Sequence, residues 1–293
     1  MANNSPRKSF REVLEGEECV FPASVFDPIS SRMACDLGFE IGMFAGSIGS
    51  AVVLGSPDYI LLTLSEFADQ SRRICRASDL PLMVDADHGY GNALNVSRTI
   101  EELENSGVSA ITIEDTSLPR TYNETSQRLI SLDEGKGKIN AALNARKDPQ
   151  LSIIARTSAV TISSLEEAII RAKEYEQLGA DGIFFTGVSK ISDLEQISSE
   201  IKIPILLGNL TQEINNKTFL SSVGVKVALQ GHLPFYAGLK SIYQTMHDLK
   251  NGASTDQLMP NILSDAEINR FINLEDFNQM IKKFMYNTQF TKL

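Results

Sequence analysis

The sequence predicts an α/β protein that folds as a (β/α)8 TIM barrel, in which eight parallel strands alternate with helices. Eight short apolar runs alternate with amphipathic stretches over roughly 250 residues, which is the pattern of that barrel. Four of the runs follow a glycine, as expected where a helix ends in a left-handed residue and a strand buried on both faces begins. A doubly wound open sheet is the alternative. No GxGxxG motif follows the first run, which disfavours its dinucleotide-binding form.

The predicted elements follow one another along the chain as strand, helix, strand. In chain order, the predicted strands cover residues 20–26, 38–46, Leu82–Asp85, 107–114, 151–156, 179–187, 203–207 and 224–231. The clearest helical spacing of apolar residues lies in 94–106, 132–146, Leu165–Leu178 and 235–250. The leading glycines are Gly38, Gly107, Gly179 and Gly224.

We expect residues 1–293 to form a single TIM-barrel domain, because barrels of this length commonly share one large core. Residues 251–293 continue as amphipathic helices that eight βα units do not require. This helical extension is expected to pack on the barrel or on a partner subunit.

The formal net charge of -10 argues against two classes of partner. An acidic surface repels nucleic acid and anionic membranes, so we expect neither partner. An anionic substrate would have to be held by local cations instead. A bound metal ion and one or two arginines would supply them.

The cysteines and the apolar runs indicate a cytoplasmic protein. The chain has three cysteines, Cys19, Cys35 and Cys75, too far apart for a CxxC motif, so a disulfide framework is not expected. The first eleven residues lack the apolar core of a signal peptide, and nowhere do eighteen apolar residues run together. Secretion and membrane spanning are therefore both disfavoured.

Two carboxylates alternate at the end of the third apolar run. Asp85 and Asp87 follow Val84 and give way to glycines, so they lie at the carboxyl end of a predicted strand. Ligands collect at this end in α/β folds, and hard oxygen ligands suit Mg²⁺ or Mn²⁺. The pair therefore predicts a divalent metal site, although Asp87 could instead cap the following turn.

Other polar residues also stand at predicted strand ends. They are Ser47 after the second strand, Glu114 and Asp115 after the fourth, Arg156 after the fifth and His232 after the eighth. In a barrel these ends converge. Carboxylates for a cation, together with Arg and Ser donors for an anion, describe a site for a chelating oxyacid.

Structural roles compete with each of these assignments. Glu114 or Asp115 could cap a helix or pair with Arg120 or Arg156. Arg156 follows apolar residues and could belong to a buried ion pair. A lone histidine such as His232 is often structural. Asp58 follows a Gly-Ser-Pro turn and could simply start a helix.

Three motifs resemble the phosphoenolpyruvate mutase/isocitrate lyase superfamily. They are the DADHGYGNALN run at 85–95, TIEDT at 112–116 and IIART at 153–157. Within that superfamily, the helix EGKGKINAALNAR at 134–146 and the QGH run at 230–232 resemble the Mg²⁺-dependent bacterial oxaloacetate decarboxylases. The resemblance extends over most of the chain.

The resemblance implies a role for each candidate residue. Asp85 would bind Mg²⁺ directly, whereas Asp87 and Glu114 would act through bound water. Ser47 and Arg156 would hold a 2-oxo dicarboxylate, His232 would contact it, and Arg156 would also stabilise the enolate. The resemblance further implies barrels that exchange their last helix between subunits in a homotetramer, a dimer of dimers.

The loop after the fourth strand bears on the type of reaction. Carbon–carbon lyases of the superfamily place a catalytic Cys in this loop, but residues 117–128 contain neither Cys nor His. Loss of a general acid/base costs on the order of 10²- to 10⁴-fold in rate. Decarboxylation of a 3-oxo acid needs no proton abstraction, so it is the expected reaction. A lyase of 2-methylisocitrate or a substituted malate, and a barrel that binds a 2-oxo acid without turnover, are the alternatives.

Two positions depart from the superfamily pattern. Ser158 stands where relatives often carry Asp or Asn, and Asn209 lies in a region where decarboxylase relatives carry Tyr. Both departures concern substrate preference.

Overall fold

Eight parallel strands follow one another in chain order around one sheet, within residues 5–286, which the computed structural model describes. Each strand pairs with the next, from β1 with β2 to β7 with β8. The strands are β1 (Ala23–Ser24), β2 (Gly42–Phe44), β3 (Leu82–Asp85), β4 (Ala110–Glu114), β5 (Ser152–Thr157), β6 (Gly182–Phe185), β7 (Ile205–Leu207) and β8 (Val225–Ala228).

Val20 closes the ring between the first and last strands. It forms a parallel bridge with Val227 of β8, its N–H donates to the Lys226 carbonyl at 2.8 Å, and its carbonyl accepts from the Ala228 N–H at 3.0 Å. The predicted (β/α)8 TIM barrel is thus confirmed. Exchange of helices between subunits stays a prediction.

Helices fill the connections between strands and continue after the last one. They are α1 (Pro6–Glu15), α2 (Pro28–Asp36), α3 (Gly46–Gly49), α4 (Leu64–Cys75), α5 (Ala93–Asn105), α6 (Leu132–Ala145), α7 (Ala159–Ile162), α8 (Leu165–Leu178), α9 (Ile191–Glu200), α10 (Lys217–Ser222), α11 (Leu233–Lys250), α12 (Thr255–Leu258), α13 (Asp265–Phe271) and α14 (Leu274–Phe284). A π-helical turn, Ser50–Leu54, continues α3, and a 3₁₀ turn, Met259–Asn261, continues α12.

The strands β3, β4 and β6 are buried at every position, as expected for a parallel sheet covered on both faces. The four leading glycines all have positive φ between 79° and 94°, which explains why glycine precedes those strands.

The first strand is shorter than the predicted run 20–26. Pro22 has no N–H to donate to a neighbouring strand, which separates the Val20 bridge from β1. At the other end, the Phe26 N–H donates to the Ser30 hydroxyl at 2.9 Å and is lost to the sheet.

The chain divides into two compact units, Met1–Phe235 and Tyr236–Leu293. The first contains the barrel and the second contains most of α11 and the later helices. The predicted extension 251–293 falls within the second unit, and its residues 287–293 lie outside the described part. Its packing on the barrel or on a partner subunit stays a prediction. No helix in residues 5–286 is both long enough and apolar enough to cross a bilayer.

Candidate active site

A cavity of about 340 Å³ opens at the carboxyl ends of β3, β4 and β5. Four carboxylates that the structure describes line it, together with arginine side chains and the loops after β2 and β4. The lining residues are Asp58, Tyr59, Ile60, Asp85, Asp87, Glu114, Leu118, Pro119, Arg120, Gln127, Arg156 and Ser158. Of the predicted site residues, Asp85, Asp87, Glu114 and Arg156 are therefore brought together.

Asp85 is the last residue of β3, and its carboxylate is held from two sides. Its Oδ1 accepts hydrogen bonds from the Thr112 hydroxyl on β4 at 3.0 Å and from the backbone N–H of Asp87 at 3.2 Å. Its Oδ2 accepts from the Arg156 guanidinium. These contacts fix the carboxylate at the floor of the cavity.

Arg156, near the end of β5, contacts two of the acids. It forms an ion pair with Asp85, and its Nη2 atom lies 3.6 Å from Glu114 Oε2. The guanidinium also lies over the Phe184 ring, 5.6 Å from the centroid. Burial lowers the pKa of Arg156, but the carboxylates of Asp85, Glu114 and Asp87 raise it by more, so the group stays charged. The ion pair that the sequence left open is present, and a role in substrate binding stays a prediction.

Asp87 lies on a tight turn after β3. Its backbone is left-handed, with φ of 48°. Its N–H donates to Asp85 Oδ1, and its carbonyl accepts from the Glu114 N–H. Burial raises the pKa of Asp87 well above its ordinary value, and the charges of Asp85 and Glu114 raise it further. A carboxylate in such surroundings needs a positive charge beside it to stay ionised.

Glu114 and Asp115 have different partners although they are neighbours in sequence. Glu114 points to the cavity and accepts from the Thr116 hydroxyl at 2.9 Å. Burial raises the pKa of Glu114, while Arg156 lowers it. The Asp115 carboxylate instead accepts from Arg171 at 3.1 Å and from the Tyr175 hydroxyl at 3.0 Å, both on α8. Asp115 is therefore part of a buried structural cluster.

Ser47 and His232 stand at the predicted strand ends but do not line this cavity. Ser47 lies in α3, directly after β2. The Nδ1 atom of His232 lies 2.9 Å from the Ser24 hydroxyl on β1. Burial lowers the pKa of His232, and the negative charge of Asp85 raises it. The predicted substrate contacts of both residues stay predictions.

Asp58 and Ser158 contribute more to the cavity than the sequence indicated. Burial raises the pKa of Asp58, and the charge of Asp85 raises it further. Its carboxylate forms one acidic wall of the cavity together with Asp85, Asp87 and Glu114. Ser158 lines the cavity, and its hydroxyl lies 2.7 Å from the Thr186 hydroxyl. Asp58 lies beyond α3 and the π-helical turn rather than at the end of β2, so its sequence pattern indicated only a turn or the start of a helix.

The donor set fits a hard divalent cation that keeps part of its water shell. Within residues 5–286, four carboxylates and two arginines, Arg120 and Arg156, line the cavity. No three Asp, Glu, His or Cys side chains in residues 5–286 converge closely enough to bind an ion alone. Mg²⁺ usually takes one or two carboxylates and several waters, so this arrangement suits it.

Comparisons with known proteins agree on one family. The profile described as phosphoenolpyruvate phosphomutase matches residues 10–250. An oxaloacetate decarboxylase of Rhodopseudomonas palustris strain BisA53 is 51% identical over 258 residues, covering 88% of this chain and 89% of that protein.

Solved structures show the same fold. A phosphoenolpyruvate phosphomutase from Streptomyces platensis subsp. rosaceus superposes with a TM-score of 0.86 at 26% identity, covering 96% of this chain and 99% of that one. A phosphonopyruvate hydrolase in complex with oxalate and Mg²⁺ also gives 0.86, at 23% identity and with coverage of 97% and 100%.

Proposed function

The chain belongs to the phosphoenolpyruvate phosphomutase family, within the phosphoenolpyruvate mutase/isocitrate lyase superfamily, and on this premise we propose that it decarboxylates oxaloacetate to pyruvate and CO₂. The enzyme is then a carboxy-lyase. The relative that is 51% identical and bears the name oxaloacetate decarboxylase supports this assignment.

One observation carries the proposal: the charge pattern of the barrel mouth. Asp58, Asp85, Asp87 and Glu114 line one cavity with Arg156, and acids so crowded require a cation among them. A divalent ion would balance the acids and would at the same time attract a dianionic oxo acid. Arg156 would add a directional donor for the substrate's carboxylate or 2-oxo oxygen.

We propose that this cation is Mg²⁺ and that Mn²⁺ can replace it. Asp85 would bind it directly, and Asp87 and Glu114 would hold its water shell. When bound, the cation supplies Lewis-acid stabilisation of the negative charge that develops on the 2-oxo oxygen.

In the reaction, the bond between C3 and C4 breaks and C4 leaves as CO₂. The bonding electron pair passes to the 2-oxo group as the enolate, which then takes a proton at C3. Arg156 binds and orients the substrate and stabilises the enolate by its charge. Ser47 and His232 would complete the contacts to the substrate from β2 and β8.

Decarboxylation makes a smaller demand on this chain than carbon–carbon cleavage of a hydroxy acid would. The loop 117–128 supplies Leu118, Pro119, Arg120 and Gln127 to the cavity wall. None of these four can accept a proton at neutral pH. Oxaloacetate splits into CO₂ and the pyruvate enolate without abstraction of a proton. The loop therefore need not supply a base.

A panel of 2-oxo and 2-hydroxy acids, assayed with and without EDTA, tests the proposal. CO₂ and every organic product should be quantified. The proposal expects CO₂ and pyruvate in equal amounts from oxaloacetate, only in the presence of the cation. A second organic acid without CO₂ would instead indicate a lyase. Cation-dependent oxalate binding without any product would indicate a non-catalytic barrel.

We further propose a homotetramer, a dimer of dimers, in the cytoplasm. The exposed apolar stripe of α14 supports association: Leu274, Phe277, Ile281 and Phe284 repeat along one helix face. Phe284 is 71% exposed, and it belongs to a continuous row of exposed apolar side chains rather than standing alone. The second copy of this chain is the occupant that we propose for this stripe.

A further inference from the structure

We infer that Lys138 and Thr99 are positioning residues that hold the Asp87 turn in the shape needed for cation binding. The inference rests on the proposed function, because it assigns Asp87 to the water shell of the cation. It concerns two buried side chains that do not line the cavity.

The turn that carries Asp87 has an unfavourable backbone. Asp87, Gly89, Tyr90 and Gly91 all have positive φ, at 48°, 79°, 60° and 147°. Asp87 and Tyr90 bear side chains, and such residues rarely adopt this conformation without support from their surroundings. The turn must therefore be held from outside.

Three consecutive carbonyls of the turn are each bound by a different element. The Asp87 carbonyl accepts from the Glu114 N–H on β4 at 2.8 Å. The His88 carbonyl accepts from Lys138 Nζ on α6 at 3.0 Å. The Gly89 carbonyl accepts from the Thr99 hydroxyl on α5 at 3.0 Å. Two of the three donors are thus side chains, so a substitution can remove each of them.

Lys138 is unusual because a lysine is seldom buried. The residue is only 3% exposed, and its ammonium group donates to a main-chain carbonyl rather than to a carboxylate. Burial lowers the pKa of Lys138, while the charges of Glu134, Glu114 and Asp115 raise it. The ammonium group thus lies behind the acidic wall, where its charge also favours the ionised form of Glu114.

Thr99 is fully buried, and its hydroxyl joins α5 to the turn. Substitution by valine keeps the volume and removes only the hydroxyl. Lys138→Met removes the donor and the charge, and Lys138→Arg keeps both. Ser106→Ala is the matched control. The Ser106 hydroxyl is also buried, at the other end of α5, and it lies within hydrogen-bond distance of two main-chain carbonyls, Ala68 at 2.9 Å and Glu102 at 2.8 Å.

Mn²⁺ binding to metal-free protein, measured by electron paramagnetic resonance without substrate, provides the test. Lys138→Met should weaken Mn²⁺ binding by about 10- to 100-fold, the usual effect of removing an outer-shell partner. Thr99→Val should weaken it by about three- to tenfold, as expected for one hydrogen bond. Lys138→Arg should retain more affinity than Lys138→Met, and Ser106→Ala should bind Mn²⁺ as the parent protein does.

If the two residues were merely structural, Lys138→Met and Thr99→Val would lower the urea midpoint but would bind Mn²⁺ as tightly as Ser106→Ala does. This result would overturn the inference. Equal loss in Lys138→Met and Lys138→Arg would also contradict it. If Lys138→Met does not fold, Thr99→Val alone decides between the two outcomes. Asp85→Asn separates this inference from the proposed function: if that variant still binds Mn²⁺ like the parent, the proposed cation site itself is wrong.

Discussion

Gly46 lies directly against the carboxylate of Asp87. A Cβ atom at position 46 would come within 2.9 Å of both Asp87 carboxylate oxygens, closer than real Cβ contacts allow. Gly46, the first residue of α3, and the turn after β3 therefore constrain each other. Glycine is required here by the close approach of a side chain rather than by an unusual backbone angle.

Gly46→Ala should displace the Asp87 carboxylate and weaken cation binding by on the order of tenfold. Calorimetric titration of the metal-free protein with Mg²⁺ would measure the change. Gly137→Ala is the control, because a Cβ at that position in α6 meets no atom within 4 Å. It should leave the affinity unchanged and raise the free energy of unfolding by about 0.5–1 kcal/mol. Equal affinities for both variants would show that Asp87 does not contribute to the cation site.

Arg171→Met should destabilise the fold by about 3–5 kcal/mol, because it leaves the Asp115 carboxylate buried without its cation. The Arg171 side chain is only 6% exposed and that of Asp115 only 3%. Urea denaturation followed by circular dichroism would measure the loss. Lys173→Met, on the same helix, removes an exposed pair with Glu200 and should cost no more than about 1 kcal/mol. Similar costs for both variants would contradict the assignment of Asp115 to a buried structural cluster.

The three cysteines should differ in reactivity toward a thiol reagent at pH 8. Burial raises the pKa of Cys19 to about 11 and that of Cys75 to about 12. At pH 8, which lies well below both values, their reactive thiolate forms make up only about one part in 10³ and one part in 10⁴. Cys35 is exposed.

One thiol should therefore react quickly with Ellman's reagent in the native protein, and Cys35→Ser should abolish this fast phase. All three should react in urea. A fast phase that persists in Cys35→Ser would mean that Cys19 or Cys75 is more accessible than the structure indicates.

Replacing Phe277 and Phe284 by Glu should break the proposed tetramer into smaller species. Both side chains lie on the exposed apolar stripe of α14, and buried charge would oppose association there. Light scattering coupled to size exclusion would measure the mass. Gln279→Glu combined with Lys282→Glu is the matched control: both residues are exposed on α14 and lie off the stripe, so the mass should stay unchanged. A monomeric parent protein, or a tetramer that survives both Phe substitutions, would count against the stripe as the interface.

Much of the barrel was predictable because its strands are short, apolar and bounded by glycine. The third strand, Leu82–Asp85, and the helix Leu165–Leu178 have the predicted bounds. The first strand was overextended because the largely apolar run 20–26 was extended through Pro22, which has no N–H, and because the run does not show that Ser30 captures the Phe26 N–H. Such local hydrogen bonds depend on the turn that follows, which periodicity does not describe.

The acids of the cavity were predictable because parallel strand ends must meet at one edge of a barrel. The buried cations were harder to predict: Lys138, which donates to the turn after β3, and Arg171, which pairs with Asp115, lie in helices far from their partners in sequence. A signal does exist for Arg171: it lies on the buried face of α8 between Ala168 and Tyr175, where a charge needs a partner. The sequence could not tell which carboxylate provides it.

The most direct test of the central claim is the initial rate of CO₂ release from oxaloacetate by the EDTA-treated protein, with and without added Mg²⁺, compared with Asp85→Asn. The rate of free Mg²⁺ with oxaloacetate is subtracted throughout. We predict a rate far above this background for the parent protein with Mg²⁺, and a fall to the background for Asp85→Asn, since the carboxamide carries no charge for the cation. A parent rate no higher than the background, or an Asp85→Asn rate equal to that of the parent, would contradict the claim that Asp85 holds the cation on which decarboxylation depends.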